Sequence, residues 1–177
     1  MPVTRFDAQH ASEDADLVRR ALTGDGSAFT ALYDRYARMI HGLLLARVRT
    51  GEVEDLLQDV FLTAWKQLDH LRDAAAFGGW LAMIARNRAT DFQRRSVDVV
   101  DLPRDLEAHD GTAASAEAGA VLDVIRSLPE TYRETLMLRL VEGMTGPEIA
   151  ARTGLTDGSV RVNLHRGMKL LREKLDV

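Results

Sequence analysis

The chain has 177 residues, room for one ordinary domain or two small ones, and 46% are apolar, which excludes wholesale disorder. It has no cysteine, which excludes a disulfide framework or a thiolate metal site and suits a reducing cytoplasm. A formal net charge of −4 argues against a protein that simply coats nucleic acid.

Residues before Ser12 read as a loose tail with no apolar signal core. Ser12 can cap a first helix running to Leu22, and Gly24 to Gly26 break it. Ser27 opens a second, with Phe29, Leu32, Tyr33, Tyr36, Ile40, Leu43 and Leu44 at helical spacing. The apolar run near Leu43 belongs to this amphipathic helix, and no stretch is long enough to insert across a membrane. A third helix is expected from Val53 to Leu68, burying Leu57, Val60, Phe61, Ala64 and Trp65. Its other side carries Glu54, Asp55, Gln58, Asp59 and Leu62. Chemistry alone favours a solvated acidic face there, since carboxylates suit a helix N-terminus. A leucine among acids also fits a docking surface.

Residues 69–76 form a connection with some helical leaning, and a fourth helix runs from Phe77 to Arg95. It should bury Trp80, Leu81, Ile84, Ala85 and Phe92, while Arg86, Asn87, Arg88, Asp91, Arg94 and Arg95 make a polar, largely basic stripe. Arginines suit phosphates, an Asn can read a base edge, and Phe77 or Trp80 can stack on an unpaired base. A solubilising face with Trp80 in the core explains the same residues equally well.

Residues 96–119 change character. Acids, Pro103, Gly111 and small residues predominate, with few large apolar side chains to offset ordering entropy. They read as a flexible acidic linker: from Val97 to Ala118 there are six acids and one arginine. Helices resume near Ala120 with Val121, Leu122, Val124, Ile125 and Leu128, and after Pro129 another runs from Glu130 to Val141 through Leu136, Met137, Leu138 and Leu140. No segment alternates long enough to be a strand and no repeat is visible, so the fold class is all-α.

The stretch TGPEIAARTGLTDGSVRVNLHR, Thr145 to Arg166, reads as a helix-turn-helix. Thr145 and Glu148 are spaced as a capping box, Gly154 can end the first helix in the left-handed conformation, and Leu155 can plug the corner. Thr156 caps a second helix whose apolar positions are Val160, Leu164, Met168, Leu171 and Leu175. Arg161, His165, Arg166 and Lys169 then share its other side, which suits the DNA major groove. An ordinary helical hairpin with a charged face is the plainer alternative.

Catalysis finds little support. His10, His41, His70, His109 and His165 are scattered without a metal-binding pair, and Gly24 to Ser27 lacks the lysine and length of a phosphate-binding loop. No enzyme activity, metal or cofactor is expected.

Taken in order, VEDLLQDVFLTAWK from Val53, FGGWLAMIARNRATDFQRR from Phe77, LPETYRETLMLR from Leu128 and the helix-turn-helix resemble a bacterial sigma-70-family sigma factor. The resemblance is to the small extracytoplasmic-function group and runs from about Asp16 to Leu175. It implies a region 2-like domain over 1–95 and a region 4-like domain over 120–177, joined by the 96–119 linker. It implies that Asp55, Gln58, Asp59 and Leu62 dock on the clamp coiled coil of core RNA polymerase, whose flap is a further contact. Arg86, Asn87, Arg88, Asp91, Arg94 and Arg95 would then meet −10 DNA, with the loop from Leu68 to Phe77 holding a flipped base. Ser159, Arg161, Val162, Asn163, His165, Arg166 and Lys169 would meet the −35 element. The family often has Ser then Arg where this chain has Val162 and Asn163, and often has Phe and Gly within the loop that here reads DHLRD.

The expectation is a cytoplasmic transcription initiation factor, monomeric when free, that binds core polymerase and promoter DNA and is held by an anti-sigma partner. The rivals are a stand-alone dimeric DNA-binding regulator and a helical interaction protein without DNA contact. Polymerase affinity separates the first, and replacement of Arg161 and Arg166 the second.

Overall fold

The computed structural model describes residues 5–98 and 113–176, and among them every regular element is helical. The first helix, α1 (Arg5–Leu22), begins well before Ser12 because no Gly or Pro interrupts the run ahead of it. Helix α2 (Gly26–Leu45) starts from Asp25, whose carboxylate accepts the N–H groups of Ser27 and Ala28 at 3.0 and 3.3 Å. The Ser27 hydroxyl first, and Arg20 next, hold the Asp25 carboxyl down to about 2. Buried Asp14 takes hydrogen bonds from Arg35 and Tyr36, tying α1 to α2.

Helix α3 (Val53–Lys66) follows a 3₁₀ turn, and two further 3₁₀ turns at Leu68–His70 and Ala74–Ala76 lead into α4 (Phe77–Asp98). Leu32, Met39, Ile40, Leu43, Leu44, Phe77 and Leu81 are fully buried between these helices. Each such burial contributes about 1.5–3 kcal/mol. Trp65 departs from the expected core: it is 42% exposed and packs edge-on to Phe29 with centroids 4.7 Å apart. Phe61 and Ala64 already fill the seam with α2, so the larger indole covers its rim. Tyr33 lies at the same rim, tilted against Phe61.

The expected linker is shorter at both ends. Helix α4 continues to Asp98, and α5 (Ala113–Arg126) begins ahead of Ala120. Alanines at 113, 114, 116 and 118 favour helix without creating an apolar stripe. The rest of that stretch, 99–112, lies outside the described residues. After Pro129 comes α6 (Glu130–Leu136), which passes into a π-helical turn at Met137–Val141. There the Glu142 N–H donates to the Met137 carbonyl at 3.2 Å, five residues back. The wider turn leaves Leu140 46% exposed, against the inward placement its spacing suggests.

Helices α7 (Gly146–Thr153) and α8 (Asp157–Leu175) complete the chain, α8 packing on α6 and α7. Leu136, Met137, Leu138, Met144, Ile149 and Val160 are buried among them. This C-terminal unit folds back on the first: the π turn rests on α2, and α7 meets α2 and α4. Buried side chains of both units form one continuous core.

Candidate nucleic-acid interface

The helix-turn-helix forms as its sequence requires. Glu148 Oε2 accepts the Thr145 N–H at 2.8 Å, and Thr145 Oγ1 accepts the Glu148 N–H at 3.4 Å, closing the capping box. The Thr145 N–H, and then its hydroxyl, hold the Glu148 carboxyl below the usual range. Gly154 turns the corner at φ 76°, in the left-handed region where a side chain would be strained. Thr156 Oγ1 accepts the Ser159 N–H at 3.1 Å and starts α8.

Ser159, Arg161, Val162, His165, Arg166 and Lys169 all stand exposed on α8. Lys169 lies 3.8 Å from Glu173, whereas Arg161 and Arg166 have no ion-pair partner among the described residues. An exposed helix N-terminus followed by two uncommitted guanidinium groups can engage phosphate or a guanine edge. Asn163 departs from this set. It is only 7% exposed, turned toward the core of its own unit beside buried Val160 and Gly167.

On α3, Glu54, Asp55, Gln58, Asp59 and Leu62 form one exposed face. Leu62 is 56% exposed, and Trp65 extends the apolar surface at the same end of the helix.

On α4 the predicted residues divide. Asn87, Asp91, Arg94 and Arg95 are exposed. Arg88 donates to Thr63 Oγ1 at 2.6 Å, which ties it to α3. Arg86 turns toward the C-terminal unit and grips Glu134 of α6 through two guanidinium nitrogens, Nη2 to Oε2 at 2.9 Å and Nε to Oε1 at 3.0 Å. The Glu134 hydrogen bond raises the Arg86 pKa against the opposing effect of burial. Phe77 is fully buried between Tyr36 and Trp80, so it is unavailable for base stacking, and Trp80 is partly buried.

Helical spacing does not single out the polar groups between the units. Glu134 also pairs with Arg47, in the turn after α2, which pairs in turn with Glu130. His41 Nδ1 lies 2.6 Å from Glu142 Oε1. Arg152 donates to the Arg35 carbonyl at 2.5 Å, and Arg126 to the Leu45 carbonyl at 3.1 Å. The one sequence signal is a glutamate, Glu134, set two residues before the apolar run Leu136 to Leu138. Its partners lie 48 and 87 residues away along the chain, beyond any local pattern.

A cavity of about 680 Å³ opens between the starts of α7 and α8, lined by Thr145, Gly146 and Pro147 at the first and by Asp157, Val160, Arg161 and Leu164 at the second. Among the described residues no group of three His, Cys, Asp or Glu could hold a metal ion, and no helix is long and apolar enough to cross a membrane.

Comparison with known proteins places both units. Residues 32–97 match the model of Sigma-70 region 2, and residues 118–171 match that of Sigma-70, region 4. RNA polymerase sigma factor CarQ of Myxococcus xanthus is 34% identical over 166 residues, covering 89% of this chain and 95% of the relative. The ECF RNA polymerase sigma-E factor of Escherichia coli K12 is 30% identical over 179 aligned residues, covering 92% and 94%. Among solved structures, CnrH in complex with the cytosolic domain of CnrY superposes with a TM-score of 0.64 at 27% identity, over 93% of this chain and 97% of that one. RpoE of Bartonella quintana, solved with the anti-sigma factor NepR, shares the fold with a TM-score of 0.58 at 21% identity, over 84% and 97%. Matched along nearly its whole length, the chain belongs to the sigma-70 family as an extracytoplasmic-function sigma factor, a non-enzymatic protein that directs promoter-specific transcription initiation.

Proposed function

We propose that three exposed faces divide the work of initiation. Asp55, Gln58, Asp59 and Leu62 of α3 dock on the clamp coiled coil of core polymerase. Asn87, Asp91, Arg94 and Arg95 of α4, with Arg86 and Arg88 once released, engage and trap the melted −10 strand. Ser159, Arg161, Val162, His165, Arg166 and Lys169 read the −35 element, while buried Asn163 supports α8 from within. The expected units of 1–95 and 120–177 extend along their boundary helices, to Asp98 and from Ala113, and the flap of core polymerase is a further contact for the second. The observation that carries the reading is the exposed α8 face, with Arg161 and Arg166 uncommitted on a doubly capped helix-turn-helix.

We infer that the protein works in the cytoplasm, where core polymerase meets the chromosome, and that it is a monomer when free. A regulatory partner of the anti-sigma kind is supported by CnrH, which is seen with the cytosolic domain of CnrY.

Reconstitution with bacterial core polymerase tests the docking face. Replacing Asp59 and Leu62 together should abolish stable holoenzyme formation while circular dichroism stays unchanged. Retained affinity would remove α3 from the interface.

A further inference from the structure

The geometry points to Val162 as a specificity-determining residue that reads the methyl group of a thymine in the −35 element. The inference rests on the reading of α8 as the −35 helix.

Val162 stands where a valine gains least from folding. It is 44% exposed, whereas the other large apolar side chains of α8 are buried or half-buried. Buried Leu171 lies nine positions further on, which at about 100° per residue is the opposite side of the helix. Ser159, His165 and Arg166 flank Val162 within one turn, and all three are exposed. Val162 therefore forms the crest of the outer face, the line of α8 that enters a major groove first. A lone exposed valine is ordinary on a protein surface. At this crest, however, a β-branched residue is a weaker helix former than the arginines beside it, and the free chain buries little of it. What valine brings is a fixed shape. In a helix one side-chain rotamer dominates, so its two methyl groups meet a partner with little loss of entropy.

A valine offers no hydrogen bond. In the major groove only thymine presents an apolar group, its C5 methyl. Against any other base edge the valine would leave donors or acceptors unpaired. Asn163 does not take over this role, because it is 7% exposed and faces the core of its own unit. The two positions where the family often has Ser and Arg thus have different tasks here: Asn163 supports α8, and Val162 meets the DNA.

Core polymerase reconstituted with the full chain, selecting from promoters randomised across the −35 region, should yield an element with a recurrent thymine. Replacing the thymines of that element by deoxyuridine, one at a time, removes only the methyl group. At one position promoter binding should fall about fourfold, the value of one buried methyl. Replacing cytosine by 5-methylcytosine at that position should raise binding by a similar factor. Val162→Ala, a favourable change at an exposed helical position, should keep its circular dichroism and bind the thymine and deoxyuridine promoters equally. Absence of a methyl-sensitive thymine with the native chain overturns the inference, as does an undiminished methyl effect in Val162→Ala. The reading beneath it fails differently. Full promoter binding after replacing both Arg161 and Arg166 with alanine would remove α8 from the −35 element altogether.

Discussion

Arg166 and Arg86 bear the same charge in opposite surroundings. Arg166 stands in solvent without a carboxylate, whereas Arg86 is gripped by Glu134. A bidentate contact from Arg166 to a base edge is worth about 1–3 kcal/mol. Arg166→Ala should therefore lower transcription from a promoter with an intact −35 element by roughly tenfold, since 1.4 kcal/mol is a factor of ten. Measured beside a promoter with a substituted −35 element, an equal loss on both would make Arg166 a phosphate contact instead. Neighbouring Asn163 shows where residue-level reading of the sequence stops. Successive helix positions are rotated by about 100°, and Val162 faces solvent while Asn163 faces the core. Asn163 is three residues after Val160 and four before Gly167, so spacing places it on the inner side of α8, and its polar side chain alone suggested otherwise. Phe77 and Trp65 follow the same logic in opposite directions, one sealed by Tyr36 and the other left on a rim.

At the scale of elements, end chemistry fixes the helix-turn-helix more firmly than hydrophobicity does. Thr145, Glu148, Gly154 and Thr156 each supply the cap or turn their identity suggests. Thr156→Ala, which frees the Ser159 N–H, should cost about 1 kcal/mol and lower the melting temperature by roughly 2–4 °C. Thermal unfolding followed by circular dichroism checks this. Polymerase affinity should be unchanged, and its loss would mean that α8 stability reaches the α3 face. Most helices and the helix-turn-helix were legible for these reasons, because apolar spacing and caps are local. The start of α5 was not, since alanine favours helix without marking a face. Nor was the π turn, because no residue in Met137–Val141 forbids ordinary α-helix.

In the whole molecule, the contact between units includes a histidine, His41, among the described residues. His41 faces Glu142, at the end of the π turn, and Glu54 of α3. The hydrogen bond to Glu142 raises the His41 pKa, and partial burial opposes this. A raised value in the folded state means that the His41 contribution is complete below the ordinary imidazole pKa and is lost as pH rises through the raised one. Thermal stability, followed by circular dichroism, should decline as pH rises past the ordinary imidazole value. His41→Gln should flatten that decline, and an identical pH profile in the variant would assign it to another group. The two units themselves were legible as separate helical blocks, but their mutual packing was not. Arg47, in the turn after α2, Arg86 of α4 and Glu134 of α6 come together from segments far apart in the chain.

The π turn gives this packing an unusual sensitivity to chain length. Its fifth residue sets the rotational phase of everything downstream, including Glu142 and the whole helix-turn-helix. Deleting one residue between Met137 and Val141 would let the segment relax into ordinary α-helix and turn the following chain by about 100°. Leu138 precedes most of that change and would stay near Gly42, but Glu142 would swing away from His41. A single codon therefore works here as a phase setting: counted one residue differently, α7 and α8 would be turned against α6 within their own unit and against α2 alike.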